Sequence, residues 1–216
     1  MAPSAPSSAN DQGGTDAESH SPEAGRVAAA LGAVATLSAL GGIALAVLLD
    51  PTFSWTADAL SDLGVRDGSA AAFNWGLIGG GAAGVGYAAC LGRAGRPLRA
   101  LLLALAMIAM AGVGLFDLTE PLHGPAAIGF YGLITLVFAV DGWVRRGAAT
   151  GRVALAFAPV HVAVWATFVA GWWPVTGLAL PELPGALMLA AWVWVVGPAP
   201  VVGAVRSPSG DPTDGH

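Results

Sequence analysis

The sequence predicts an all-α fold, a polytopic membrane bundle of six transmembrane helices with both termini on the cytoplasmic side. Three observations carry this. Hydrophobic residues make up 55% of the 216 residues and charged ones 11%, against the ~25% that a soluble domain carries on its surface. The charges gather in tails and connections, leaving long apolar runs of about 20 residues, the length that crosses a ~30 Å hydrocarbon core as helix. The basic residues, all arginine, fall almost entirely on one side of those runs.

Residues 1–25 are rich in Ala, Ser, Pro, Gly and Asp and contain no apolar run. A signal peptide needs a basic start and an apolar stretch, so a disordered tail is expected there. A second such tail is expected at 206–216, leaving 26–205 as one membrane domain. The spans fall at about 27–49, 70–92, 98–116, 126–144, 153–173 and 183–205. With the first residue inside, the inner segments hold Arg26, Arg93, Arg96, Arg99, Arg145, Arg146, Arg152 and Arg206, and only Arg66 lies outside. Arginine excess in short loops marks the cytoplasmic side, which places a multi-pass protein in the cell membrane. Apart from Asp141, the acidic groups of the domain collect outside, as Asp50, Asp58, Asp62, Asp67, Asp117, Glu120 and Glu182.

The second span repeats glycine at four-residue intervals, Gly76, Gly80 and Gly84. Small residues so spaced let helices approach closely, and a lipid or ligand groove is the competing reading. Trp55, Trp75, Trp172 and Trp173 fall at the outer boundary as an aromatic belt. In the first outer loop, Phe53, Ala57, Leu60 and Leu63 form an apolar side at helical spacing, with Asp58 and Asp62 one turn apart. This predicts a short interfacial helix ended by Gly64 in a left-handed cap. Asp62 either faces water there or, with Ser61, turns into the mouth of the bundle. Asn74, one turn into the second span, needs a partner for its amide. It ties down the preceding loop or binds a polar head group.

The second outer segment brings Asp117, Glu120 and His123 at three-residue spacing, interrupted by Pro121 and Pro125. Asp117 sits near the negative end of the third helix and so requires a compensating partner. His123 precedes the positive end of the fourth, which favours a neutral imidazole able to accept a proton or ligate a metal. Simple solvation of these loop residues is the competing reading. Glu182 opens the last span, where it suits the helix dipole or closes the same outer site. His161 lies about 18 Å from the outer end of its helix, too far from His123 to share a metal. It either hydrogen-bonds a neighbouring helix or marks a function within the membrane. Asp141 has Arg145 four residues on, an ordinary helix ion pair. The single cysteine, Cys90, excludes an intramolecular disulfide, and no zinc-site spacing occurs. No metal or cofactor is expected, phosphate-cradling and nucleic-acid motifs are absent, and membrane lipids are the expected partners. The oligomeric state is left open.

Leu60-Ser-Asp-Leu-Gly64 ahead of Phe73-Asn74, then Gly112-Val-Gly-Leu-Phe-Asp117 with Pro121-Leu-His123 and Phe130-Tyr131, then Leu180-Pro-Glu182, form an ordered set. In that order the chain resembles the prokaryotic six-helix membrane family catalogued as domain of unknown function number 998, over about 27–205. More distantly it is similar to the Frag1/DRAM/Sfk1 group, whose members are implicated in lipid remodelling and distribution. Phe130-Tyr131 stands where that group pairs two phenylalanines and no second outer histidine occurs, so a metal-dependent hydrolase mechanism does not carry over. The expected function is therefore lipid binding or organisation through an outer polar cleft formed by Ser61, Asp62, Asn74, Asp117, Glu120, His123 and Glu182. The alternative is a head-group hydrolase or transferase using His123 and the outer carboxylates. A small transporter is a third reading, supported by His161 alone and lacking a repeat of three spans.

Overall fold

The computed structural model describes residues 22–206, so the expected tails lie outside the described residues except at 22–25 and 206. The elements are α1 (Pro22–Leu49), a 3-10 turn (Leu60–Gly64), α2 (Ala70–Arg93), α3 (Pro97–Leu115), α4 (His123–Val144), α5 (Ala149–Val169), α6 (Ala179–Ala191), a π-helical turn (Trp192–Val196) and α7 (Val201–Arg206). Five helical segments are long and apolar enough to cross a membrane: Glu23–Leu49, Pro97–Leu115, His123–Val144, Ala149–Val169 and Ala179–Ala204. The remaining expected span, α2, has the length at 24 residues, but its glycines, Asn74 and Trp75 dilute its hydropathy. Large apolar side chains cover the outside: Leu48 and Val169 are each 80% exposed and Ile128 is 76% exposed. A surface so apolar suits a hydrocarbon surrounding.

The glycines of α2 explain how it packs. A Cβ on Gly42 would meet the Gly76 Cα at 2.7 Å, and one on Gly80 would meet the Ala35 carbonyl at 2.8 Å. Gly76 and Gly80 therefore face α1, whose Ser38 hydroxyl donates to the Gly76 carbonyl at 3.1 Å. One position on, Gly81 faces α3, where a Cβ would lie 2.6 Å from the Met107 carbonyl. The helix runs antiparallel to both neighbours and is clamped between them, the close approach that small residues permit. Gly95, at φ +72°, ends α2 in the left-handed region, and Arg96 N–H closes the turn on the Leu91 carbonyl at 3.1 Å. Pro97 then opens α3, where its missing N–H costs nothing.

Two expectations fail. No interfacial helix forms in the first loop. Residues 51–59 are turns and extended chain, and the 3-10 turn that follows has Leu60, Ser61, Leu63 and Gly64 buried. Leu60 and Leu63 find the bundle rather than the lipid surface. Among the described residues Gly64 is not in the left-handed region, which holds only Gly95 and Gly171. A Cβ there would meet Asn74 Oδ1 at 2.6 Å and the Phe73 ring at 3.0 Å, so close approach is what requires glycine. The last expected span is present as Ala179–Ala204; within it the chain passes from α6 into the π turn, breaks at Gly197–Pro200 and resumes as α7.

At the end of the bundle carrying the α2–α3 and α4–α5 connections, Asp141 is fully buried. It accepts hydrogen bonds from Arg99 Nη1 at 3.0 Å, Arg145 Nε at 2.9 Å, Arg145 Nη2, and Trp192 Nε1 at 2.8 Å. The expected pair with Arg145 is present, but it is one part of a junction joining α3, α4 and the π turn. At this end Arg96 is driven below the usual arginine value by burial, with the positive charge of Arg99 adding to the effect.

Candidate functional site

The opposite end is built on Arg66. Its guanidinium bridges Asp50 at 2.7 Å and Asp58 at 3.0 Å. Thr52 donates to Asp50 from its hydroxyl at 2.5 Å and from its N–H at 2.9 Å, and Ser54 N–H donates to Asp58 at 2.8 Å. The Thr52 hydroxyl and Arg66 hold Asp50 below the usual carboxylate range. The Ser54 N–H, then Arg66, does the same for Asp58, and the two carboxylates push Arg66 up. Asp62 folds back onto Ala59 N–H at 2.7 Å, starting the 3-10 turn. Ser69 donates to the Leu63 carbonyl at 2.8 Å, and Asn74 Nδ2 to the Gly64 carbonyl at 2.9 Å. The turn is thereby pressed into the bundle, and its Leu60 N–H donates to Glu182 Oε2 at 2.8 Å. A second clasp joins this loop to the α5–α6 connection, where Thr176 and Gly177 N–H both donate to the Thr56 carbonyl and Ala179 N–H to that of Asp58.

The α3–α4 connection is shaped by Asp117, which accepts from the Thr119 hydroxyl at 2.6 Å and N–H at 2.8 Å. These bonds hold Asp117 below its usual range, the hydroxyl most strongly, and supply the partner its position requires. His123 Nδ1 lies 2.7 Å from the Phe116 carbonyl. A carbonyl only accepts, so Nδ1 carries a proton, and Nε2 is the ring nitrogen left unengaged.

Behind these clasps a cavity of about 80 Å³ runs among α1, the 3-10 turn, α2, α3, α4 and α6. Its lining extends from Glu182 on α6 to Val193 in the π turn and from Phe73 to Tyr87 on α2, a length of roughly 15–20 Å at helical rise. Most of the lining is apolar. At the end near the first loop, Ser61, His123, Tyr131 and Glu182 line it together, and Ser61, His123 and Glu182 are each 7% exposed. Among the described residues no hydrogen bond engages Ser61 Oγ, His123 Nε2, Tyr131 Oη or Glu182 Oε1. These atoms are not sealed off either: Asn74 Oδ1 is the fully enclosed side-chain acceptor lacking a partner among the described residues. At the deep end the polar groups are spent, Tyr87 on the Ala199 carbonyl and Thr36 on Trp194 and the Gly32 carbonyl.

Of the seven residues singled out in the sequence, Ser61, His123 and Glu182 line this cavity. Asp62 and Asn74 act on the backbone of the first loop, Asp117 shapes its own turn, and Glu120 is exposed. Tyr131 was not among them. Its signal is the i, i+4, i+8 row His123, Ala127, Tyr131, one face of α4, which lines the cavity throughout.

His161 is separate. Trp165 Nε1 donates to its Nε2 at 3.1 Å, and its Nδ1 lies 2.7 Å from the Thr135 hydroxyl, which donates in turn to the Tyr131 carbonyl at 2.8 Å. Because indole only donates, Nε2 accepts and Nδ1–H is the donor. The ring is neutral with both nitrogens satisfied, tying α5 to α4. Among the described residues no three His, Cys, Asp or Glu side chains group as a metal site.

A helical bundle with five segments long and apolar enough to cross a membrane and large aliphatic side chains on its outside is a polytopic helical membrane protein. The model of a family described as a protein of unknown function (DUF998) matches residues 33–199, well over half the chain, and the chain belongs to that family. No curated protein and no solved structure matches it.

Proposed function

We propose that this protein binds membrane lipid in its central cavity, with the lipid head at Ser61, His123, Tyr131 and Glu182 and the chain among the apolar side chains below. One observation carries the reading. Polar side chains from three distant segments, each with an unengaged atom, line one cavity that is otherwise mostly apolar. These atoms are open to the cavity rather than sealed within the protein, so a polar group entering there can take up their unused hydrogen bonds. We further propose that α2 is a sixth span, because it lies along α1 and α3 for its whole length, and that the Arg66 end faces outward by the arginine rule. A cysteine placed in the first loop of a Cys90→Ser background tests the orientation: it should react with an impermeant maleimide on intact cells, and labelling only after lysis would reverse it.

The binding reading is tested by native mass spectrometry of purified protein after delipidation. The wild type should retain lipid that His123→Ala and Glu182→Ala lose while still folded. Equal retention in all three would sink it. A head-group-modifying activity draws on the free Nε2 of His123 as a base, with Glu182 as its carboxylate partner. Lipid turnover unchanged by His123→Ala would remove that alternative.

A further inference from the structure

We propose that the cavity selects one uncharged, single-chain lipid alcohol, its hydroxyl seated among Ser61, His123, Tyr131 and Glu182; this rests on the lipid-binding reading and adds the class of lipid. The first ground is width. About 80 Å³ of room for the centres of water-sized spheres, strung along a lining of roughly 15–20 Å, is a passage about one methylene chain wide, which a second chain would not share. The second is charge. Apart from Arg66, the arginines whose side chains are described lie in α1, at the α2–α3 and α4–α5 connections or at the helix ends beside them. Arg66 is held between Asp50 and Asp58. No described cation is left at this end to meet a phosphate.

The third ground is the pattern of donors and acceptors. A hydroxyl offers one donor and two acceptor sites. The mouth offers the complement, two hydroxyl donors from Ser61 and Tyr131, and an acceptor at His123 Nε2 or Glu182 Oε1. An ammonium head has donors only, so it would leave the acceptor-seeking hydroxyl protons of Ser61 and Tyr131 unmet. It would also carry a charge into a mostly apolar enclosure, at a cost that a single carboxylate does not reliably offset.

The test is saturable binding of tritiated dodecanol to full-length protein in phosphatidylcholine nanodiscs, measured over protein-free nanodiscs. Competition uses unlabelled dodecanol, dodecylamine and dodecyl phosphate. Dodecanol should compete at least about ten-fold better than either charged analogue. Tyr131→Phe should weaken its binding about ten-fold, the loss of a hydrogen bond worth about 1.4 kcal/mol. Ala186→Phe, one turn below Glu182 in the lining, should abolish binding, and Ala127→Phe offers a second block from α4 if the first variant does not fold. If the amine or phosphate competes as well as the alcohol, the head-group assignment is wrong and the lipid-binding reading stands. If none of the three amphiphiles binds saturably, or binding survives both blocking variants, the assignment and the reading fall together.

Discussion

Replacing Asp141 by Asn tests the junction at the arginine end with almost no change of shape. Four N–H donors converge on the two Asp141 oxygens, from Arg99, Arg145 and Trp192. Asparagine keeps one acceptor and turns an NH₂ toward donors. Breaking a buried ion pair from one side costs about 3–5 kcal/mol. Arg145 retains the Val196 carbonyl at 2.8 Å and Thr150 at 3.0 Å, whereas Arg99 has no other partner among the described residues. The lower half of the range is therefore expected, about 3 kcal/mol. At roughly 2–4 °C per kcal/mol for a chain of this size, the melting point of detergent-purified protein should fall by about 6–12 °C. Arg146→Ala is the control, since that exposed side chain stacks on Trp143 and should change stability by less than about 0.5 kcal/mol. A melting point for Asp141→Asn within about 2 °C of the wild type would refute the junction as a source of stability.

Gly42→Val drives a branched side chain into the backbone of α2, which a Cβ alone already meets at 2.7 Å. It should cost at least about 1–3 kcal/mol, read as lower melting and a poorer monodisperse fraction on size exclusion. The Asp50–Arg66–Asp58 clasp should give an acid-dependent stability. Both carboxyls lie below their unfolded values, so their contribution is full above pH ~4 and fades as pH falls through the depressed folded values. Melting followed from pH 7 downward should show this fall, and Arg66→Ala should lessen it, the share held by Thr52 and the Ser54 N–H remaining. Trp165→Phe removes the donor to His161 Nε2 and should cost about 0.5–1.5 kcal/mol, with nitrogen chemical shifts of the imidazole reporting whether the Nδ1–H tautomer persists.

The helical architecture was legible because length and apolarity alone decide whether a segment can cross lipid, and the glycine spacing of α2 also named its packing role. The cavity mouth was half legible. Ser61, His123 and Glu182 stood out as polar groups beside apolar runs, but sequence could not separate them from Asp62, Asn74, Asp117 and Glu120. All seven share that property. The difference lies in where each side chain finds its partner: Asp62 and Asp117 close turns within three residues of themselves, and Asn74 reaches a carbonyl ten residues away. Local capping of this kind competes with any site for the same polar atoms. Tyr131 stood out only within the family-like Phe130-Tyr131 pair and not as a site residue, because an aromatic in a span reads as packing.

The broken last helix and the buried Asp141 are better understood as one device than as two irregularities. Trp192-Val-Trp-Val-Val196 reads as continuous apolar helix, yet it winds as a π turn, with Gly197 N–H reaching back five residues to the Trp192 carbonyl at 2.6 Å. Pro198 and Pro200 cannot donate, so the helix cannot continue through them. Backbone groups freed at membrane depth must find partners inside the protein, and here side chains provide them. Arg145 Nη2 takes the Val196 carbonyl and Tyr87 the Ala199 carbonyl. Trp192 and Trp194 anchor the turn on Asp141 and Thr36. Without the Asp141 carboxylate, Trp192 loses its charged acceptor, and the turn is left tied by Arg145 at Val196 and Trp194 at Thr36 alone. Loss of Asp141 should therefore loosen the π turn and α7 before it loosens α5. Amide exchange in Asp141→Asn should rise first at Trp192–Arg206, and a uniform rise along all helices would separate the two features again.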